Sequence, residues 1–303
     1  MGAVLDELPA GARVLLIRLR SLGDCVLTTP ALALLKSHRP DLRIAVMVET
    51  RFAGIFDGNP AVSEILPPSR FLAYTFRPHL TLNLHGGPFS AQATFASRAR
   101  RRAGFGHYRS RFAYNLFIPR AQEILGEERT VHTAEHVASA MFWLGVPRQP
   151  VPRACLYTSG HAPEKQPRAV IHPFASAASK SWPAERFAAL ARWLKDQGLA
   201  VTVIGAETDD FIPFTEFETR RGANLEDLKR LLQSSTLFIG NDSGPAHMAA
   251  AFALPVAVLY GSSDPVVWAP WQTRSETITA DAGLDSVPVE RVQDAVRRLE
   301  VPA

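Results

Sequence analysis

The chain is short of cysteine and lysine, and it lacks several devices that commonly mark a nucleotide or membrane protein. Cys25 and Cys155 are its two cysteines in 303 residues. That excludes a disulfide framework or a cysteine-rich metal site, and suits both to be small buried apolar side chains in a reducing compartment. No run approaches the roughly 18 uninterrupted apolar residues that a membrane span needs. The opening segment MGAVLDELPAGARV carries Asp6 and Glu7 and no apolar core, so a cytoplasmic chain is expected. No G-x-G-x-x-G follows the first predicted strand and no Walker lysine motif occurs, which speaks against a nicotinamide enzyme or a P-loop NTPase. No two aspartates are separated by one residue, so the D-x-D clamp for a divalent ion is missing, and neither metal nor cofactor is expected.

Acidic residues are absent over one long interval. Between Glu64 and Glu123 there is no Asp or Glu, yet the interval holds Arg70, Arg77, Arg98, Arg100, Arg101, Arg102, Arg109, Arg111 and Arg120. The planar guanidinium suits carboxylate and phosphate, so an anionic partner of this half is one reading. A solvated helix end in a chain with five lysines is the other. A negatively charged membrane surface is left open, and nucleic acid is not expected, since no binding motif or aromatic platform accompanies the run.

What is present is the balance of a folded soluble protein: 47% hydrophobic and 20% charged residues with a mean hydropathy of −0.01. The length suggests two domains. Residues 13–19 and 42–48 are short apolar runs of the kind that form buried parallel strands. Between them a helix is predicted with Thr29 as N-cap and Pro30 at its first position. Weaker apolar stretches lie near 62–66 and 80–84, and 131–144 reads as a helix ending at Gly145. Prolines 147, 150, 152, 163 and 167 mark a boundary.

The alternation then restarts, with strands predicted at 169–172, 199–205, 236–240 and 254–261. Helices are predicted after Pro183, after Asn224, over GPAHMAAAF and over 287–300. The pattern predicts an α/β protein of two facing Rossmann-like domains with a cleft between them, residues 1–155 and 156–303, with the last helix free to pack back on the first domain.

Chemistry in open parallel sheets gathers beyond the carboxyl ends of the strands. After the first strand, RLRSLGDC offers Asp24 either as a base for an acceptor hydroxyl or as an acid favouring a helix N-terminus. IHPFASAASKSWP offers Ser176, Ser179 and Lys180 as an anion cradle, or a plain linker of similar composition. GNDSGPAH leads Asp242, Ser243 and Gly244 into a helix start with His247 in its first turn, and Glu207 follows a strand end where a ribose contact is common.

Taken together, RLRSLGDCVLTTPALALLK, IHPFASAASKSWPAERFAAL and LFIGNDSGPAHMAAAFALPVAVLYGSSDP resemble glycosyltransferase family 9, the ADP-heptose:lipopolysaccharide heptosyltransferases, from about residue 13 to 271. The resemblance implies a GT-B fold and an inverting, metal-independent transfer of heptose from ADP-L-glycero-D-manno-heptose to the Kdo or heptose of the lipopolysaccharide inner core. It implies Asp24 as general base and Lys180 as the contact to the donor diphosphate. Ser176, Glu207, Asp242, Ser243, Gly244 and His247 would bind the remainder of the donor. Arg98, Arg100, Arg101 and Arg102 would then meet an anionic core acceptor, at the inner face of the inner membrane. Two departures stand out: TDDFIPFTEFETRRGA between Glu207 and Asn224 is short, and alanines 175 and 177 stand where a second hydroxyl is usual. Another nucleotide sugar, another anionic acceptor, or nucleotide-sugar binding without catalysis remain alternatives.

Overall fold

The computed structural model describes residues 4–161, 163–175 and 177–301, apart from the side chain of residue 178. The chain divides into two compact units, Met1–Tyr157 and Thr158–Ala303.

The first unit is a six-stranded, all-parallel sheet in the order β3-β2-β1-β4-β5-β6. Its strands are β1 (Arg13–Ile17), β2 (Arg43–Met47), β3 (Glu64–Leu66), β4 (Leu80–Asn83), β5 (Arg101–Phe105) and β6 (Leu116–Ile118). Its helices are α1 (Leu22–His38), α2 (Arg70–Thr75), α3 (Pro88–Ala96), α4 (Ala121–Leu125) and α5 (Thr133–Leu144). The central strands are continuous apolar runs because helices cover both faces. On one face Leu15, Ile17, Ala45 and Met47 pack against Ala73 of α2 and Ala93 of α3. Helix α1 packs on α5.

Helix α1 departs from expectation. It starts at Leu22, and Asp24 in its first turn accepts the Ser21 backbone N–H at 3.2 Å. Pro30 therefore lies inside the helix rather than at its start. Proline cannot donate to the carbonyl of Val26, and the Thr29 hydroxyl does so instead at 2.8 Å, which removes much of the usual penalty. Thr29 is thus a patch for a proline-interrupted helix and not its N-cap. Cys25 is buried, which pushes its thiol up to about 12, whereas Cys155 is only half-buried.

The second unit repeats the topology, with sheet order β12-β11-β10-β7-β8-β9 and every pairing parallel. Its strands are β7 (Arg168–His172), β8 (Ala200–Gly205), β9 (Glu218–Arg221), β10 (Leu237–Asn241), β11 (Val256–Tyr260) and β12 (Ser275–Thr279). Its helices are α6 (Ala184–Asp196), α7 (Leu225–Gln233), α8 (Gly244–Ala251), α9 (Pro265–Trp268) and α10 (Val289–Arg298). Phe187, Leu190 and Leu194 of α6 sink into a core that also takes Val292, Ala295 and Val296 of α10. The last helix packs its apolar face against α6 and β12. No helix among the described residues is long and apolar enough to cross a membrane.

Both sheets reverse strand order at one point, between β1 and β4 in the first and between β7 and β10 in the second. Loops leaving the two strands at such a point diverge, which opens a crevice at their carboxyl ends.

Candidate active site

In the first unit the reversal point is occupied by Asp24, after β1, and His85, after β4. The Asp24 carboxylate is held from two sides: Oδ1 accepts from Arg18 Nη1 at 3.2 Å, and Oδ2 accepts from the Ser21 hydroxyl at 3.1 Å and the Ser21 N–H. Its side chain keeps 23% exposure while Arg18 keeps 9%, so the carboxylate faces outward from a buried cation. The turn carrying His85 is built by the fully buried Asn83, whose Oδ1 accepts the N–H groups of His85 and Gly86 at 2.9 and 3.0 Å. Gly86 has φ +76°, and a Cβ there would strike the Tyr108 ring at 2.4 Å, so only glycine lets Tyr108 lie over this turn.

Arg18 acts on its surroundings through charge. Burial first, and then the charges of Arg18 and Arg20, lower the His85 imidazole below its ordinary value. Burial raises the Tyr108 phenol. His136, stacked on Phe105 at 4.2 Å, is lowered to about 4 by burial, aided by His107 and Arg18. The Asp24 carboxylate is thus paired with the Arg18 cation, with a weakly basic His85 imidazole at the same reversal point. Sequence reasoning missed Arg18, His85 and Tyr108. The available signal was position: each lies at or just beyond the carboxyl end of β1, β4 or β5.

The four arginines expected to meet an anionic acceptor lie toward the other end of the sheet from Asp24. Strand register pairs Arg101 with Leu80, and Leu80 with Val14, which sets the Arg98–Arg102 segment at the amino end of the sheet. Asn83 and Ile17 at the other end are three residues further along, a separation of about 10 Å before any loop begins. Arg101 is paired with the Glu7 carboxylate. Arg102 donates to the carbonyls of Ala113 and Ala99 at 3.0 and 2.9 Å. Arg98 lies over the Tyr74 ring, and Arg100 is exposed. The Arg98–Arg102 segment, expected to meet an anionic acceptor, thus stands at the amino end of the sheet, whereas Asp24 stands beyond the carboxyl end of β1.

In the second unit the reversal point gathers the residues expected to hold a donor. Lys180 Nζ lies 3.8 Å from Asp242 Oδ2, joining the loop after β7 to the loop after β10. Ser243 takes the N-cap position of α8, Gly244 opens the helix and His247 is buried in its first turn. The Ser243 hydroxyl is buried without a hydrogen-bond partner among the described residues. Glu207, exposed after β8, is packed against Gly222, where a Cβ would meet its Oε2 at 2.7 Å. Ser176 lies outside the described residues.

The Lys180 loop is fixed by a residue the sequence reading passed over. Asn241, fully buried at the end of β10, accepts the Trp182 N–H at 3.0 Å and donates to the Pro173 carbonyl at 2.7 Å. It thereby ties both ends of the loop. Trp182 is a packing residue: it is 1% exposed, meets Phe187 edge-on, and its indole donates to Val287. Beneath the loop Gly261 leaves no room for a side chain, since a Cβ would sit 2.0 Å from the Ser179 carbonyl oxygen and 3.0 Å from Lys180 Cα. Among the described residues no three His, Cys, Asp or Glu side chains gather as metal ligands.

Two six-stranded parallel Rossmann-like sheets in one chain make up the GT-B fold of glycosyltransferases. The model of glycosyltransferase family 9 (heptosyltransferase) matches residues 79–286, and the chain belongs to that family. It is 25% identical over 287 residues to lipopolysaccharide heptosyltransferase 3 of Escherichia coli, covering 82% of this chain and 83% of that one. Among solved structures it is similar to the family 9 glycosyl transferase of Veillonella parvula DSM 2008, with TM-score 0.84, 20% identity, and 95% and 97% of the two chains covered. It is also similar to the Escherichia coli heptosyltransferase WaaC with ADP, with TM-score 0.80, 20% identity, and 95% and 99% covered.

Proposed function

We propose that the protein transfers heptose from ADP-L-glycero-D-manno-heptose to a Kdo or heptose of the lipopolysaccharide inner core, with inversion and without a metal ion. The observation that carries this reading is the junction of Lys180 and Asp242 at the β7/β10 reversal, beside the start of α8. A cation and helix N–H groups there suit a diphosphate, and they strengthen their hold as negative charge grows on the departing ADP. Glu207 accepts from the ribose hydroxyls. Asp242, Ser243, Gly244 and His247 line the diphosphate and sugar, and the unpartnered Ser243 hydroxyl suits a ligand oxygen.

Asp24 serves as the base. It takes the proton of the acceptor hydroxyl as that oxygen attacks the anomeric carbon, ADP leaves from the opposite side, and a single displacement inverts the configuration. Arg18 and Ser21 hold the carboxylate in one orientation, so that its outward lone pairs stay available. The similarity to a lipopolysaccharide heptosyltransferase over most of both chains, and to a solved heptosyltransferase with ADP, supports the donor and acceptor classes. The same reading has the enzyme act on the cytoplasmic side of the inner membrane.

The test is incubation with ADP-heptose and a Kdo-bearing lipid A acceptor, with and without a chelator, beside other ADP-sugars and UDP-sugars. Heptose transfer unaffected by chelation is expected. Transfer only from a different nucleotide sugar, or ADP binding with no transfer to any acceptor, would overturn the reading.

A further inference from the structure

The loop after β4 is held from beneath by a single residue. Asn83, fully buried, satisfies all of its hydrogen-bonding capacity around that loop. Its amide N–H groups donate to the Thr94 hydroxyl at 3.1 Å and the Tyr114 hydroxyl at 2.9 Å, while its oxygen accepts the N–H groups of His85 and Gly86. Gly87 lets the His85 ring lie close against the start of α3, since a Cβ there would stand 3.3 Å from Cδ2 and 3.4 Å from Nε2. The half-buried His85 side chain is thereby fixed at the reversal point it shares with Asp24, near enough for its ring to feel the charges of Arg18, Arg20 and Asp24. Tyr108 lies over the adjoining Gly86, and α3 carries no titratable residue. A neutral imidazole has an N–H on one nitrogen and a lone pair on the other. The Arg20 backbone carbonyl faces the ring and favours an N–H on that side, which leaves the lone pair on the second nitrogen. No described residue donates a hydrogen bond to it.

We propose that His85 is a specificity-determining residue for the acceptor: its free ring nitrogen accepts a hydroxyl of the acceptor sugar adjacent to the one that Asp24 deprotonates. A hydroxyl has one proton to donate, so Asp24 and His85 cannot both accept from the same group. Two acceptors at one reversal point instead select two neighbouring hydroxyls, and a sugar lacking the second leaves the imidazole lone pair unmatched. His85 acts on recognition of the acceptor, while proton removal stays with Asp24. The inference rests on the transfer reaction proposed above and adds to it the residue that reads the acceptor's hydroxyl pattern.

Steady-state transfer is measured for the full chain, His85→Leu and His85→Gln, with thermal unfolding to verify that each is folded. His85→Leu should raise the acceptor KM about 3- to 10-fold and leave the ADP-heptose KM within about twofold. His85→Gln, whose amide oxygen accepts a hydroxyl, should restore the acceptor KM. Monodeoxy analogues of the acceptor sugar supply the second readout. One of them should raise the wild-type KM about 3- to 10-fold yet leave the KM of His85→Leu unchanged, because its partner is already gone. The proposal is overturned by a folded His85→Leu with the wild-type acceptor KM, by equal losses for acceptor and ADP-heptose, or by deoxy effects of the same size in both proteins. Those results leave the transfer reaction standing, whereas no transfer by the wild type to any acceptor would overturn the reaction and this inference together.

Discussion

Asn241→Leu isolates the tie that holds the Lys180 loop. The side chain is fully buried, accepts the Trp182 N–H at 3.0 Å and donates to the Pro173 carbonyl at 2.7 Å. Leucine fills nearly the same volume but answers neither group. Each buried polar group left unmatched costs about 1–3 kcal/mol, so keeping the loop in place costs about 2–6 kcal/mol. That is a large share of the roughly 5–15 kcal/mol by which a domain is stable, and the cheaper outcome is a loop that lifts away and hydrates. Lys180 then loses its station opposite Asp242. A charge-assisted hydrogen bond is worth about 1.5–3 kcal/mol, which predicts ADP affinity weaker by roughly 10- to 150-fold. Isothermal titration with ADP measures the loss, and thermal unfolding measures the cost to the second unit. An ADP Kd within about twofold of wild type, with unchanged unfolding, would refute the claim that Asn241 positions the loop.

Gly261→Ala attacks the same loop from below, because the added carbon must push the Ser179 carbonyl by more than 1 Å to reach ordinary contact; ADP titration should show weaker binding, and a wild-type Kd would mean the loop does not depend on that packing. Glu207→Ala should weaken ADP binding while leaving pyrophosphate inhibition of transfer unchanged, and equal losses for both would remove Glu207 from the ribose. Stability should fall in mild acid. Burial lowers His136 and His172 from 6.5 to about 4, so between these values the unfolded chain binds protons the folded chain refuses, and unfolding free energy declines as pH falls through that window. Thermal unfolding followed from about pH 7 to about pH 5 should show the decline, and replacing both histidines by asparagine should flatten it; an equal decline in the variant would assign it to other groups.

The strands legible in the sequence were those buried on both faces. RVLLI, RIAVM, AVTVIG and VAVLY are continuous apolar runs because helices cover each side of the sheet. The strands RRAGF, ETRR and SETIT were not legible. ETRR and SETIT form the outer strands β9 and β12, where one side stays open to water and polar residues are tolerated, and RRAGF enters its sheet with two arginines still at the rim.

The meeting of Lys180 with Asp242 and the start of α8 was legible because these residues lie in contiguous loops after strong strands. Asn241 was passed over because a strand's last residue gives no local sign that it bonds a loop some sixty residues earlier. The Thr29–Pro30 pair imitated a helix start, while the true start rests on Ser21 and Asp24, whose pairing also orients the carboxylate. For the arginine run, composition shows charge, and only strand register shows at which end of the sheet it stands.

The most direct measurement compares wild type with Asp24→Asn for heptose transfer at saturating ADP-heptose, alongside ADP titration of both proteins. Asparagine keeps the size and the contact to Ser21 but cannot take the hydroxyl proton. The account predicts turnover lower by about 10²- to 10⁴-fold with an unchanged ADP Kd. Turnover at the wild-type level, or a loss explained by weaker ADP binding, would contradict it.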